Sequence, residues 1–161
     1  MLGPLCNPAK APHQVLGVGR PQLRPLLAGA LHRLGTRRSV VVCGEDGLDE
    51  VTIGSTSYVS VATDDGIEEM EWAPEEFGLK RASLQELVVD GTTESAERIR
   101  QILDGIAGPS RDIVVMNSAA ALWVTGFSED LRQCAGRAAE AIDSGDAREL
   151  LAKLAEASHS S

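Results

Sequence analysis

The sequence predicts an α/β fold in which a mixed, largely parallel sheet is flanked by helices. Between residues 14 and 43, a buried strand, an amphipathic helix and a second buried strand follow one another. That is the order of a βαβ unit with parallel strands and a right-handed crossover. Strand patterns continue to residue 72, and helical patterns fill the C-terminal half. With 161 residues, 43% of them hydrophobic, the chain can form one domain with a sizeable core.

The first twelve residues differ from the rest of the chain in composition. They contain three of the seven prolines and show no periodic pattern. We therefore expect residues 1–12 to be the remnant of an inter-domain connection. An α/β domain is expected over residues 13–157, and a disordered tail over residues 158–161.

The βαβ unit is predicted over residues 14–18, 20–34 and 39–43. The first and third of these segments are short apolar runs, as expected for buried strands. The middle segment has apolar side chains at helical spacing, and Gly35 is well placed to end the helix. These side chains are Leu23, Leu26, Leu27, Ala30, Leu31 and Leu34.

Three more strands are predicted where β-branched residues are frequent and polar and apolar residues alternate. They are residues 50–53, 57–62 and 67–72. A hairpin is predicted at Asp64-Asp65-Gly66, since glycine supplies the positive φ that tight turns require. Glutamates alternate with apolar residues in the last strand, so one face of the ribbon is expected to be wet. Tyr58 and Trp72 are expected to be packing residues.

The remainder of the chain is predicted to be helical. The predicted helices run from Thr92 or Thr93 to residue 103, from 112 to 124, from 128 to a stop at Gly145, and from Asp146 onward. The second of them is apolar on almost every side, which predicts a buried core helix. Asp146 begins a capping-box-like sequence.

Composition limits the classes of function. The net charge of −9 argues against nucleic-acid binding, which depends on cationic contacts to phosphates. A phosphate-bearing substrate would need a metal ion or backbone amides to offset the repulsion. Residues 113–127, the longest apolar stretch, are too short for a bilayer, which needs about 20 apolar residues. The odd, scattered cysteines Cys6, Cys43 and Cys134 fit a reducing cytoplasm better than a disulfide framework.

An acidic segment follows the strand predicted over residues 39–43. It contains Glu45, Asp46, Asp49 and Glu50 together with two glycines. In α/β proteins, ligands usually bind at the carboxyl ends of strands. Adjacent carboxylates on such a turn can hold Mg²⁺, which prefers one or two carboxylates plus phosphate oxygens and water. A solvated acidic turn explains the same spacing, and the residues alone leave both interpretations open.

A second glycine pattern lies between the first predicted strand and helix. Gly17 and Gly19 match the start of a dinucleotide-binding fingerprint, but Gln22 stands where the third glycine is required. The pattern therefore does not favour a nucleotide cofactor.

Five stretches together resemble one enzyme family. They are Leu2-Gly3-Pro4-Leu5-Cys6-Asn7-Pro8-Ala9, Gly44-Glu45-Asp46-Gly47-Leu48-Asp49-Glu50, Pro74-Glu75-Glu76-Phe77-Gly78-Leu79, the segment from Arg111 to Leu122, and Ala141-Ile142-Asp143-Ser144-Gly145. In order and spacing they resemble the anthranilate phosphoribosyltransferases, from residue 2 to about residue 157. The resemblance implies the C-terminal α/β domain of the nucleoside phosphorylase and phosphoribosyltransferase type of fold.

This resemblance implies a reaction and a metal. Family members transfer the phosphoribosyl group of phosphoribosyl pyrophosphate to anthranilate in tryptophan biosynthesis, use Mg²⁺, and are usually homodimers. The family's metal-binding Asp-Glu pair falls on Asp49 and Glu50, so Glu45 and Asp46 are expected to be turn residues. Cys43 departs from the histidine that is frequent at its position. No residue is assigned to catalysis or to substrate binding.

The family's N-terminal helical domain, glycine-rich loop and anthranilate-contacting arginine have no counterpart in these 161 residues. Residue 1 falls within a helix that links the two domains in the family. One alternative is therefore a non-catalytic α/β fragment, inactive alone or complemented by a separate N-terminal chain. A pyrimidine nucleoside phosphorylase is a weaker alternative, which the pairing of the Leu2–Ala9 and Gly44–Glu50 motifs disfavours.

Overall fold

The structure is a computed structural model that describes residues 3–6 and 8–159. Leu2 and Asn7 of the N-terminal motif, and the last two residues of the expected tail, lie outside the described residues. The strands are β1 (His13–Gly17), β2 (Arg38–Gly44), β3 (Ser57–Thr63) and β4 (Ile67–Trp72). The helices are α1 (Leu23–Arg33), α2 (Gly91–Leu103), α3 (Pro109–Val124), α4 (Leu131–Asp143) and α5 (Asp146–His159). Single 3₁₀ turns lie at Gly3–Cys6, Pro74–Phe77 and Leu84–Leu87.

The four strands form one sheet in the order β1-β2-β3-β4. Strands β1 and β2 are parallel, with α1 as the crossover, so the predicted βαβ unit is confirmed. The β2–β3 and β3–β4 pairings are antiparallel. The mixed α/β class is therefore confirmed, but in the described strands the sheet is not largely parallel. The reason is the connection over residues 45–56, which carries no crossover helix and returns the chain so that Ser57 pairs with Gly44.

Helices cover both faces of the sheet. Because side chains alternate along a strand, Val41 and Cys43 of β2 pack with α1, whereas Val40 and Val42 pack with α3 and α4. The larger cluster, on the α3–α4 side, contains Trp72, which meets Trp123 edge-on with the ring centroids 5.3 Å apart. Trp72 is thus the packing residue that the sequence predicts.

Helix α1 buries a narrower face than its sequence suggests. Leu27, Ala28 and Leu31 are buried against the sheet, whereas Leu26 and Leu34 are mostly exposed. Gly35 ends the helix as predicted, with φ of +77°. Its amide donates to the His32 carbonyl while the Thr36 amide donates to that of Leu31, which is a Schellman motif.

One predicted strand is wrong. Residues 50–53 lie in a loop, because their backbone groups bond to side chains and loops rather than to a neighbouring strand. The Thr52 amide donates to the Ser57 hydroxyl at 2.9 Å, and the Ile53 carbonyl accepts from the Ala82 amide at 3.2 Å. β-branched Val51 and Ile53 are fully buried here, so their strand-like composition reflects core packing.

Several helix ends also differ from the prediction. Helix α2 begins at Gly91 after an N-cap at Asp90, so neither Thr92 nor Thr93 caps it. Helix α4 begins after Asp130, whose carboxylate accepts from the Arg132 amide at 2.8 Å. Helix α5 runs through His159, two residues into the segment expected to be a disordered tail. Within residues 3–6 and 8–159, no helix combines the length and apolar character needed to cross a membrane.

Candidate metal-binding loop

The acidic segment forms a compact loop at the carboxyl end of β2. The Gly44 amide donates to the Leu48 carbonyl at 2.8 Å, and the Gly47 amide donates to the Gly44 carbonyl at 2.9 Å. Gly47 has φ of +86°, which a residue with a Cβ rarely adopts. The Glu45 amide donates to the Thr56 carbonyl at 2.8 Å and ties the loop to the strand that follows. We call residues 44–50 the acidic loop.

Asp46 stabilises the acidic loop. Its Oδ2 accepts a hydrogen bond of 2.6 Å from the Thr52 hydroxyl, and its Oδ1 accepts one of 3.1 Å from the Leu48 amide. The Thr52 hydroxyl in turn accepts from the Gly54 amide at 3.0 Å. Both Asp46 oxygens are thus engaged, and this residue is a turn residue as the sequence predicts.

Asp49 and Glu50 differ from Asp46 in the surroundings of their carboxylates. Both residues are exposed. Their carboxylates make no hydrogen bond or ion pair with any other described residue. They lie next to each other on a loop whose main chain is held, and their four oxygens remain available to a ligand.

The backbone of Gly17 lies directly against the acidic loop. A Cβ added to Gly17 would come within 1.5 Å of the Asp49 carbonyl oxygen, far inside van der Waals contact. A Cβ added to Gly19 would lie 3.5 Å from the Gly47 carbonyl oxygen, which is an ordinary van der Waals contact. The glycine required at position 17 therefore lets the loop approach the end of β1, a role that the sequence pattern does not predict.

Asn117, in the middle of α3, holds Val51, the residue directly after the acidic loop. Its Oδ1 accepts a 3.0 Å hydrogen bond from the Val51 amide, and its Nδ2 donates to the Val51 carbonyl at 3.0 Å. In the sequence, Asn117 stands only within the family-like stretch from Arg111 to Leu122, and no role is predicted for it. A lone amide side chain within a core helix was the available signal, because a buried polar group needs hydrogen-bond partners.

Cys43 does not belong to this set of possible ligands. It is fully buried in the cluster on the α1 side of the sheet. Burial raises the pKa of its thiol, partly opposed by Arg24 and reinforced by Asp46 and Asp49. Its Sγ donates to the Gly44 carbonyl at 3.5 Å, and the thiol is packed in the core.

The donor set fits an open Mg²⁺ site. Among the residues that the structure describes, no group of three or more His, Cys, Asp or Glu side chains could enclose a metal ion. Two adjacent carboxylates suit Mg²⁺, which commonly takes one or two protein carboxylates and completes its octahedron with phosphate oxygens and water. A groove of about 340 Å³ opens beside Glu50 and is lined by Ile113, Val114, Asn117, Ser118 and Ala121.

Comparison with known proteins finds relatives over almost all of this chain. A family model described as "Glycosyl transferase family, a/b domain" matches residues 1–148. The anthranilate phosphoribosyltransferase of Pelobacter propionicus is 47% identical over 154 residues, which are 96% of this chain and 44% of that protein. The one from Desulfitobacterium hafniense strain DCB-2 is 44% identical over 96% of this chain and 46% of its own length.

Solved structures agree in fold. The crystal structure of anthranilate phosphoribosyltransferase from Thermus thermophilus has a TM-score of 0.84 and 39% identity, covering 94% of this chain and 45% of that one. The Saccharomyces cerevisiae enzyme in complex with PRPP and Mg has a TM-score of 0.82 and 26% identity, covering 92% and 43%. The chain spans slightly less than half the length of these relatives. The resemblance inferred from the sequence motifs is confirmed.

Proposed function

The chain belongs to the glycosyl transferase family with an a/b domain, and on this premise we propose that it is the α/β part of an anthranilate phosphoribosyltransferase. The proposed reaction transfers the phosphoribosyl group of phosphoribosyl pyrophosphate to the amino group of anthranilate in tryptophan biosynthesis, with release of pyrophosphate. The observation that carries the proposal is the acidic loop at the carboxyl end of β2, where two adjacent carboxylates have no hydrogen bond or ion pair with other described residues.

Asp49 and Glu50 are the proposed Mg²⁺ ligands. When bound there, the ion would neutralise the charge that develops on leaving pyrophosphate. This chain's own part is to hold two carboxylates beside the substrate's phosphates and to keep the loop in place through Asp46, Gly17 and Asn117. With a net charge of −9, the chain would otherwise repel such an anion.

The proposed partners and location follow from family membership. The complete enzyme would bind phosphoribosyl pyrophosphate and anthranilate, act as a homodimer, and use neither nucleic acid nor a membrane. A cytoplasmic location is supported by Cys6, Cys43 and Cys134, which are all free thiols.

A second proposal is an α/β unit that is inactive alone and is complemented by a separate N-terminal chain. The chain covers 44% and 46% of the two bacterial enzymes, so this proposal treats it as one of two parts of such an enzyme. Formation of phosphoribosylanthranilate by the purified 161-residue chain without any partner would contradict it.

A chimera tests the proposed reaction and the metal ligands together. The segment of the Pelobacter propionicus enzyme that aligns with this chain is replaced by this chain, and phosphoribosylanthranilate formation is followed at several Mg²⁺ concentrations. We expect Mg²⁺-dependent turnover, and we expect Asp49→Asn with Glu50→Gln to lower kcat/KM at least about 100-fold, because both proposed ligands are lost.

The matched control is the double variant Asp64→Asn, Asp65→Asn, which removes the same charge from the exposed β3–β4 hairpin. We expect its kcat/KM to stay within about twofold, because only the long-range attraction of the metal ion changes. A chimera whose Mg²⁺-dependent turnover survives the substitutions at residues 49 and 50 would contradict the metal role. A chimera that folds but shows no turnover would contradict the proposed reaction.

A further inference from the structure

The main chain around Glu50 is held from two directions. The peptide between Asp49 and Glu50 places its carbonyl against the Gly17 backbone, where no Cβ can be accommodated. The peptide between Glu50 and Val51 has its amide bonded to Asn117 at 3.0 Å. Both peptide planes that flank Glu50 are therefore fixed, although its own side chain is exposed.

Asn117 is engaged with all of its polar groups. Oδ1 accepts from the Val51 amide, and Nδ2 donates to the carbonyls of Val51 and Ile113, each at 3.0 Å. One bond returns to its own helix, one turn earlier, and fixes the side-chain rotamer. The other two bonds reach Val51, directly after the acidic loop. Asn117 thus transmits the position of α3 to the residue that follows Glu50.

The hydrogen bonds between Asn117 and Val51, which we call the clamp, lie among residues that are packed too tightly to follow a displaced loop. Val51 and Ile53 are fully buried, and the α3 residues Val115 and Met116 are at most 2% exposed. Closely packed protein interiors resist small displacements of their side chains. The loop main chain is therefore held by the backbone of β1 and by the Asn117 side chain of α3, whereas the Asp49 and Glu50 carboxylates bond to no other residue that the structure describes.

We propose that Asn117 is a positioning residue for the divalent-cation site, holding the main chain in the place from which Asp49 and Glu50 bind the ion. This inference rests on the proposed function of that pair. Asn117 touches neither metal nor substrate in this assignment. It acts by lowering the cost of bringing two like-charged carboxylates to one ion, as groups that orient a metal ligand do.

Paramagnetic Mn²⁺ is the probe, added to the purified 161-residue chain without substrates. Its affinity is measured from the broadening of the amide resonances of residues 49–51 and from water-proton relaxation. We expect Asn117→Ala to weaken Mn²⁺ binding about tenfold, because outer residues that orient metal ligands have effects of about 10- to 100-fold. Asn117→Gln keeps the amide but places it one methylene farther out, and is expected to weaken binding by a smaller factor.

Thr36→Val is the matched control. Its hydroxyl bonds to the Pro12 carbonyl and to Ser39, so the substitution also removes buried side-chain hydrogen bonds, but at the opposite end of β2. We expect it to lower stability without changing Mn²⁺ affinity. Hydrogen exchange of the Val51 amide provides a metal-free measure of the clamp and should accelerate in both Asn117 variants but not in Thr36→Val. If Asn117→Ala does not fold, Asn117→Gln carries the test.

The outcomes separate this inference from the function on which it rests. Unchanged Mn²⁺ affinity in the folded Asn117 variants would overturn the positioning role and leave the metal pair intact. Failure of Mn²⁺ to broaden residues 49–51 in the unsubstituted chain would overturn the metal pair, and the positioning role with it. Two results together would support both the metal pair and the positioning role. The broadening would be lost in the Asp49→Asn, Glu50→Gln double variant, and Mn²⁺ affinity would be weakened, but not lost, in the Asn117 variants.

Discussion

Single residues determine where the acidic loop lies. Gly17 allows the Asp49 carbonyl to contact the end of β1, and Asp46 closes the loop through the Thr52 hydroxyl at 2.6 Å. No other residue type reproduces either geometry. Gly17 acts through its missing Cβ, and Asp46 acts as a short side chain with two acceptor oxygens. The proposed ligands depend on these neighbours for their place.

Gly17→Ala is expected to destabilise the chain and to displace the loop. The new methyl group would overlap the Asp49 carbonyl, and such overpacking costs about 1–3 kcal/mol. Urea denaturation followed by tryptophan fluorescence measures the free energy of unfolding. Gly19→Ala is the control, because its Cβ would lie at an ordinary 3.5 Å from the Gly47 carbonyl, and a change within about 0.5 kcal/mol is expected. Equal losses in the two variants would contradict the close approach at Gly17.

Pairs of elements are joined by a few polar anchors. Arg38, at the start of β2, donates to both carboxylate oxygens of Glu129, at 2.6 and 2.7 Å, in the connection between α3 and α4. Its guanidinium also lies 3.5 Å from the centroid of the Trp123 ring. The Trp123 indole donates to the Glu129 carbonyl at 3.3 Å. One arginine therefore ties the sheet to the helical layer that carries Asn117.

This anchor predicts a pH dependence of stability. The hydrogen bonds from Arg38 hold the pKa of Glu129 below its ordinary value of 4.5. A carboxyl with a lowered folded-state pKa contributes stability above its unfolded-state pKa, and loses it as the pH falls through the folded-state value. Glu129→Gln should therefore be less stable than the unsubstituted chain at pH 7, and the difference should vanish in strongly acidic solution.

The size of this effect is limited by solvent. The Glu129 side chain is 73% exposed, so we expect a difference below about 1 kcal/mol at pH 7. Urea denaturation of both proteins at intervals between pH 7 and pH 3 measures it. A difference that is the same at every pH would contradict the assigned contribution of the Glu129 charge.

At the scale of the whole molecule, two apolar clusters share one sheet. Strand β2 contributes Val40 and Val42 to the cluster under α3 and α4, and Val41 and Cys43 to the cluster under α1. Displacement of β2 from the sheet would therefore remove packing from both clusters at once. Although the chain spans less than half of its relatives' length, this arrangement predicts that it unfolds as one cooperative unit.

The buried cysteines report on the two clusters separately. Cys43 lies in the cluster on the α1 side, and Cys134 in the one on the α3–α4 side. In single-thiol variants, made with serine at the other two cysteines, both thiols should become reactive toward a thiol reagent at the same urea concentration. That concentration should match the loss of Trp72 and Trp123 fluorescence. Reaction of Cys43 at markedly lower urea would show that the α1 side opens independently.

Much of the fold could be predicted from local patterns. Strand β4 begins and ends at the predicted residues, and α1, β2 and β3 differ from the prediction by a few residues at their ends. The stretch of residues 50–53 shows why the rest could not be predicted. Its β-branched residues favour a strand locally, but its partners are Asn117, Ser57 and Ala82, which no local pattern identifies.

The sequence by itself determined the α/β class, the βαβ unit, the family and the acidic segment, because hydrophobic period, turn residues and motif order are properties of neighbouring positions. Only the tertiary structure decided that two of the three described strand pairings are antiparallel, and that Asp46 has hydrogen-bond partners among the described residues whereas the Asp49 and Glu50 carboxylates have none there. It also brought Asn117 to Val51, 66 positions earlier in the chain. The physical reason is that hydrogen bonds and close packing depend on distances in the folded chain, which spacing along the sequence does not specify.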